Sequence, residues 1–221
     1  EEQRAVPSRI EFAHAHGLDP EAPILALFPG SRPQEIRRHL EIFLHAGRRV
    51  RESLPTVQVA VARAPSISRE DLPVGSLPLV DDGWALLCHA RAALVKSGTT
   101  TLEAALAGTP FVTAYRTHPL TFFLARRLVR VPHVALANLV VGERVVPEVL
   151  QNEATPARLA GLLLPLLEPA SPERTLQEAG LARVRLSLGP AGPGAAHAVA
   201  EMAAELLAAQ ETPGCSAGGE G

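Results

Sequence analysis

Three stretches of this sequence gather glycines, small hydroxyl residues and arginines just where an apolar run ends. In FPGSRPQEI, residues 28–36, Gly30 and Ser31 can make a tight turn with exposed amides, Arg32 supplies a guanidinium, and Pro33 suits the first position of a helix. Glu35 falls in that helix's first turn, where the macrodipole favours a carboxylate. A positively polarised helix end beside an Arg is a phosphate site in outline. The plainer reading is a capped helix with a surface Arg.

The second stretch is LVKSGTTTLEAALAGTP, residues 94–110. Ser97, Gly98 and Thr99 follow the apolar run, and Thr100, Thr101, Leu102 and Glu103 open a helix. Such a turn offers backbone N–H groups and hydroxyls to an anion without bulky side chains. Glu103, about one turn in, can accept hydrogen bonds from a pair of neighbouring sugar hydroxyls. The competing reading is a capping box, with Ser97 or Thr100 at the N-cap and Glu103 three residues beyond the latter. In the third stretch, YRTHPLTFFLARRL (115–128), Tyr115 and Arg116 end a strand. Arg116 can meet a phosphate or a carboxylate, or make a surface ion pair. Phe122, Phe123, Arg126 and Arg127 fit a membrane-interface helix or a helix with one buried face.

Other chemistries lack their parts. There is no G-x-G-x-x-G or G-K-[ST] motif, so any phosphate site lies outside those two classes. No G-x-S-x-G elbow occurs, and Ser31 and Ser97 have no evident His/Asp relay. His14, His16, Cys88 and His89 are not at metal-ligand spacing, so neither a metal nor a cofactor is expected. Asp81 and Asp82 are read as the cap of a helix at Trp84 rather than as acid/base groups.

The surrounding pattern must position these turns. Apolar runs at 22–30, 56–62, 77–81, 92–97, 110–115 and 133–136 read as strands. Helices are expected at 2–16, 33–54, 82–90, 100–108, 119–130, 145–151, 155–168, 172–187 and 191–210. Over 33–54, Ile36, Leu40, Phe43, Leu44 and Val50 recur at helical spacing. Continuously apolar strands alternating with helices imply a parallel sheet covered on both faces. The fold class is therefore α/β, a Rossmann-like three-layer α/β/α domain with about six mostly parallel strands, followed by carboxyl-terminal helices. In such sheets ligands bind beyond the carboxyl ends of the strands, where all three turns fall. Residues 1–210 form one domain, and 211–221, small and polar, is expected to be a disordered tail.

Composition narrows the partners. The 221 residues carry a net charge of −2 with both signs interspersed, and aromatics make up 4%, which argues against nucleic acid. Cys88 and Cys215 are too few for a disulfide framework and read as reduced thiols of a cytoplasmic protein. No apolar run approaches ~20 residues. Because the sequence starts at Glu1 rather than Met, a longer parent protein is expected.

FPGSRPQEI, VKSGTTTLEAALAGTPFVTAYR and PLTFFLARRLVRVPHVALANLVVGERVVPEVLQNEATP, with their spacing, closely resemble the carboxyl-terminal half of the lipid-A-disaccharide synthases. The resemblance covers residues 20–168 and more loosely the helices to about 210. It implies the donor-binding half of a two-domain GT-B glycosyltransferase. That enzyme transfers 2,3-diacylglucosamine from its UDP derivative to 2,3-diacylglucosamine 1-phosphate. Ser31 and Arg32 would then lie at the diphosphate, and Ser97, Gly98 and Thr99 at its other face. Glu103 would hold the ribose hydroxyls, with Asn138 and Gln151 near the donor. Gly30, Thr100, Tyr115 and Arg116 complete the candidate set, and Arg32 would stabilise the leaving diphosphate. The resemblance further implies peripheral contact with the inner membrane and a possible homodimer through the carboxyl-terminal helices. The sequence departs from the family in lacking the amino-terminal half with its general base, and in Ala137, where the family usually has Pro. A nucleotide-sugar binding module without turnover, or a UDP-sugar transferase with another acceptor, fits the same residues.

Overall fold

The computed structural model describes residues 6–117 and 133–189. The helices expected over 119–130 and 191–210, the tail 211–221, and Phe122, Phe123, Arg126 and Arg127 lie outside the described residues. The chain lays down a six-stranded sheet in the order β3-β2-β1-β4-β5-β6. Its strands are β1 (Ile24–Phe28), β2 (Gln58–Ala62), β3 (Leu79–Val80), β4 (Ala92–Lys96), β5 (Phe111–Tyr115) and β6 (Glu148–Leu150). Every pairing is parallel. Strand order reverses between β1 and β4, and the crevice beyond their carboxyl ends is the topological switch point of a doubly wound sheet.

The helices are α1 (Arg9–Ala15), α2 (Pro33–Ser53), α3 (Gly83–His89), α4 (Thr100–Ala107), α5 (Leu136–Val141), α6 (Pro156–Leu167) and α7 (Pro172–Leu188). Because successive strand residues point to opposite faces, β4 divides its side chains between two cores. Ala92 and Leu94 join the core that contains Ile36, Leu40, Phe43 and Val50 of α2 and Leu159 and Leu163 of α6. Ala93 and Val95 join the other, with Leu86 of α3, Ala104 of α4 and Leu181 of α7. Each fully buried large side chain contributes roughly 1.5–3 kcal/mol by leaving water. Gln177 of α7 is buried and clamps β5 by accepting from the Phe111 N–H at 2.7 Å and donating to its carbonyl at 3.1 Å.

Three expectations are corrected. Residues 133–136 are not a strand: the Val134 and Ala135 amides donate to the Glu148 carboxylate, and Leu136 starts α5. The sixth strand lies at 148–150, inside the stretch expected to be helical. Val145, Val146 and Val149 are β-branched, which favours an extended chain, and Pro147 immediately precedes the strand, where a missing N–H costs nothing. The Pro147 carbonyl accepts the Thr113 N–H at 2.9 Å, which docks the segment on β5. The amino-terminal helix is also shorter than expected. It starts at Arg9, after a capping box in which Ser8 and Glu11 cap each other's backbone amides.

Candidate functional site

The turn after β1 is closed by its own carboxylate. Gly30 sits at φ 131°, and a Cβ there would lie 2.6 Å from the Glu35 Cβ. Only glycine adopts that backbone without strain. Glu35, in the first turn of α2, accepts the Ser31 N–H at 2.9 Å, so the amide expected to be exposed is already engaged. Its other carboxylate oxygen takes a 2.7 Å ion pair from Lys96, the last residue of β4. Burial alone would raise the Glu35 pKa. The Lys96 hydrogen bond and charge, the Ser31 amide and the Arg32 charge outweigh it and hold the carboxyl below its ordinary value. Arg32 is the N-cap residue of α2, makes no side-chain cap bond, and is exposed.

The turn after β4 is built differently. The N-cap of α4 is Thr99, and its side chain makes no cap bond. The capping box is therefore corrected: Ser97 donates instead to the Val134 carbonyl at 2.9 Å, and Thr101 to the Gly98 carbonyl at 2.7 Å. Both hydroxyls sit where the chain buries them, and the nearer acceptor takes each. The N–H groups of Gly98, Thr99 and Thr100 have no acceptor among the described residues. Glu103 is exposed, yet the protein around its carboxyl raises its pKa by desolvation, against a hydrogen bond from Thr100.

Lys96 and Ser97 are consecutive, so they leave β4 on opposite faces. Lys96 ties the first turn to the end of β4. Arg32, Glu35, Arg37, Arg38, Lys96, Tyr115, Arg116 and Thr117 line an open cleft of about 650 Å³. Five of those side chains are cationic and one is acidic, a surplus that suits an anion. Ser97 faces the other core, where Asn138 is fully buried. The Asn138 amide oxygen accepts the Val145 and Val146 N–H groups, and its nitrogen donates to the Val146 carbonyl and to Glu148. All four of its hydrogen-bonding positions are thus used, and its part here is to shape the loop against which Ser97 rests.

Gln151, next after β6, holds Arg116 and Thr117 of the cleft lining from behind. Its backbone lies at φ 51°, the one non-glycine residue with positive φ among those described. Its carbonyl accepts from the Arg116 Nε at 3.1 Å, and its side-chain oxygen accepts the Thr117 N–H at 3.0 Å. Its side-chain nitrogen is buried with no partner among the described residues. A strained residue with an unpaired donor beside a cleft is a feature that clusters at functional sites.

Two residues escaped the sequence reading. His39 is completely buried on α2. It stands three residues after Ile36 and four before Phe43, so its place on the apolar stripe was the available signal. Its Nδ1 donates to the Glu35 carbonyl at 2.8 Å, and its Nε2 accepts the Arg116 N–H at 2.9 Å. Those partners fix a neutral imidazole with the proton on Nδ1. Burial lowers its pKa, the Lys96 and Arg116 charges lower it further, and the Glu35 carbonyl and carboxylate oppose them. The other residue is Glu148, whose sign was a carboxylate within an otherwise apolar run. Asp82 does cap α3, through the Ala85 N–H at 3.0 Å, while Asp81 pairs with Arg63 at 2.7 Å.

Among the described residues no group of three or more His, Cys, Asp or Glu could hold a metal, and no helix is long and apolar enough to cross a membrane. The lipid-A-disaccharide synthetase family model matches residues 1–190. A lipid-A-disaccharide synthase of Acidobacterium capsulatum is 40% identical over 217 residues, covering 90% of this chain and 54% of the relative. One of Yersinia pseudotuberculosis is 40% identical over 207 residues, covering 90% and 52%. The chain spans about half the length of the curated relatives it matches. Among solved structures, the glycotransferase of kitacinnamycin matches with TM-score 0.51 and 18% identity, covering 96% of this chain and 47% of that one. That likeness is of fold. The chain belongs to the lipid-A-disaccharide synthetase family.

Proposed function

We propose that this chain is the donor-binding half of a lipid-A-disaccharide synthase and holds a UDP-sugar across the crevice between β1 and β4. The observation that carries the reading is the pair of helix-opening turns at that switch point, with Arg32 on one side and the unpaired amides of Gly98, Thr99 and Thr100 on the other. In the reaction, a hydroxyl of 2,3-diacylglucosamine 1-phosphate attacks the anomeric carbon of UDP-2,3-diacylglucosamine. The bond from that carbon to the diphosphate breaks, UDP leaves, and the hydroxyl proton passes to a general base expected in the amino-terminal half of the family. Arg32 and the amino-terminal end of α4 stabilise the charge that grows on UDP. Glu103 receives the ribose hydroxyls; its exposure leaves it accessible to them. Asn138 acts through the loop it shapes, and Tyr115, Arg116 and Gln151 close the cleft toward β6. A lipid-linked donor and acceptor place the work at a membrane surface, with peripheral attachment on the cytoplasmic side of the inner membrane. A dimer through the carboxyl-terminal helices fits the same reading.

Calorimetric titration with UDP in the presence of EDTA tests the donor site. Binding in the micromolar to millimolar range is expected, weakened about tenfold by Glu103→Ala, the loss of a hydrogen-bonded charged group. No binding, or binding indifferent to that substitution, would count against the site. Supplying the amino-terminal half of a relative in trans then separates enzyme from binding module. Formation of disaccharide supports the transferase, and UDP binding without turnover supports the module.

A further inference from the structure

We propose that His39 is a positioning residue whose neutral imidazole holds the Arg116–Thr117 edge of the cleft in its nucleotide-binding form, so that its protonation releases the ligand. The proposal rests on the donor-site reading above and adds regulation by pH to it. His39 itself faces no ligand. It is fully buried behind the cleft wall, with its ring edge-on to Phe43 at a centroid distance of 5.8 Å.

The chain of contacts is continuous. The Arg116 N–H ends on the imidazole Nε2, the Arg116 guanidinium and the Thr117 N–H end on Gln151, and Gln151 keeps its φ of 51°. A residue held in that region persists only while its surroundings over-determine it, and the Arg116–Thr117 segment supplies the restraint. On the other side of the ring, the Nδ1 proton ends on the carbonyl of Glu35, whose carboxylate closes the turn at Gly30 and pairs with Lys96. One ring therefore ties the turn after β1 to the end of β5 across 77 residues of sequence.

Protonation adds a hydrogen to Nε2, which then points a donor at the Arg116 N–H. Two donors cannot share that contact, so the Arg116 amide loses its acceptor and the segment moves away. The charged groups around the ring are Glu35 on its own helix, Lys96 at the end of β4 and Arg116 after β5. Helix α6, which also packs on α2, carries a single charged residue, Arg158, engaged with Glu153 at 3.1 Å. Two cations against one carboxylate, together with burial, keep the imidazole neutral at physiological pH and place its titration below the ordinary ~6.5.

Two substitutions divide the roles of the ring nitrogens. His39→Asn keeps a group near Nδ1 and removes the acceptor for Arg116. His39→Gln puts an amide oxygen near the place of Nε2 and does not titrate. UDP titrations at pH 8, 6.5 and 5 are expected to show His39→Asn about tenfold weaker at pH 8, with His39→Gln recovering most of that loss. As the pH falls below 6.5 and through the lowered pKa of the imidazole, the wild type should lose affinity that His39→Gln, which does not titrate, keeps. The titration of the UDP phosphate itself acts equally on both proteins and cancels in that difference. Wild type and His39→Gln falling in parallel, or His39→Asn binding like the wild type, overturns the proposal. Nitrogen-15 spectra of the ligand-free chain separate this from the donor-site reading. If no protein binds UDP, the donor reading fails, and Arg116 and Gln151 amide signals that follow the imidazole titration still support the positioning role. Signals that ignore it end that role.

Discussion

The two turns that flank the switch point solve one problem in opposite ways. After β1, the protein fills its own anion-accepting position: Glu35 takes the Ser31 amide and Lys96 neutralises Glu35. After β4, the helix opens with no side-chain cap, and the amides of Gly98, Thr99 and Thr100 have no acceptor among the described residues. The first turn is braced by the Glu35–Lys96 pair at low exposure, while the second leaves its amides for a ligand. A site that needs both a fixed reference and free donors obtains them by dividing the tasks. The shared element is β4, whose last residue serves the first turn and whose next residue begins the second.

Gly30→Ala should produce the largest effect. The methyl group would meet the Glu35 Cβ and carboxylate at 2.6 and 2.7 Å, in a backbone region that side chains rarely enter. Strain and displacement of Glu35 together should cost about 3 kcal/mol of stability, with UDP binding lost as well. Chemical denaturation reads the first and calorimetry the second. A fully stable Gly30→Ala protein would show that the first turn is not rigid after all.

Lys96→Met tests the electrostatic half of that rigidity. With the side chains of Lys96 and Glu35 at 16% and 14% exposure, removing the cation leaves a carboxylate mostly out of water, at about 2 kcal/mol. The sign with pH follows from the lowered Glu35 pKa. Its paired carboxylate stabilises the fold above the unfolded value of ~4.5, and this contribution fades as pH falls through the lower folded value. Denaturation at pH 7 and pH 4 should therefore show the gap between wild type and Lys96→Met narrowing on acidification. Glu35→Gln in the Lys96→Met background should recover part of the loss at pH 7. A gap that is constant with pH would mean that Lys96 contributes packing alone.

How much of this arrangement the sequence disclosed follows from the range of each interaction. Apolar runs and the helical stripe of α2 are local patterns, and such patterns announced strands β1 to β5 and helices α2, α3, α4, α6 and α7. The turns were recognisable because their residues are contiguous. The Glu35–Lys96 pair spans 61 positions and the His39–Arg116 bond 77, and no local pattern records either. His39 was passed over because the stripe was read by its apolar members alone. The exchange of strand 133–136 for 148–150 has a similar cause. Both segments are short and each holds a Val and a Leu, and what decides between them is Glu148, which captures the Val134 and Ala135 amides from outside the segment. The capping box failed for a related reason: Thr99 rather than Thr100 stands at the N-cap, and Ser97 found a tertiary acceptor in the Val134 carbonyl.

Gly98→Ala is the smallest perturbation and the one that most sharply contrasts the two turns. Unlike Gly30, Gly98 does not have a positive φ, and a Cβ there would rest 3.6 Å from the Lys96 ammonium, an ordinary contact. Stability should therefore change by no more than about 0.5 kcal/mol. The methyl group would nevertheless stand beside the amides of Gly98, Thr99 and Thr100, where the proposed donor site brings a diphosphate close to the backbone. UDP affinity is expected to fall several-fold while the denaturation curve stays in place. The opposite result, a destabilised protein that binds UDP normally, would make the second turn a structural connection like the first and would remove the division of labour between them. Because the same glycine-to-alanine change at Gly30 acts through the fold and at Gly98 through the ligand, the two variants measured side by side test whether rigidity and receptivity are separate properties of this crevice.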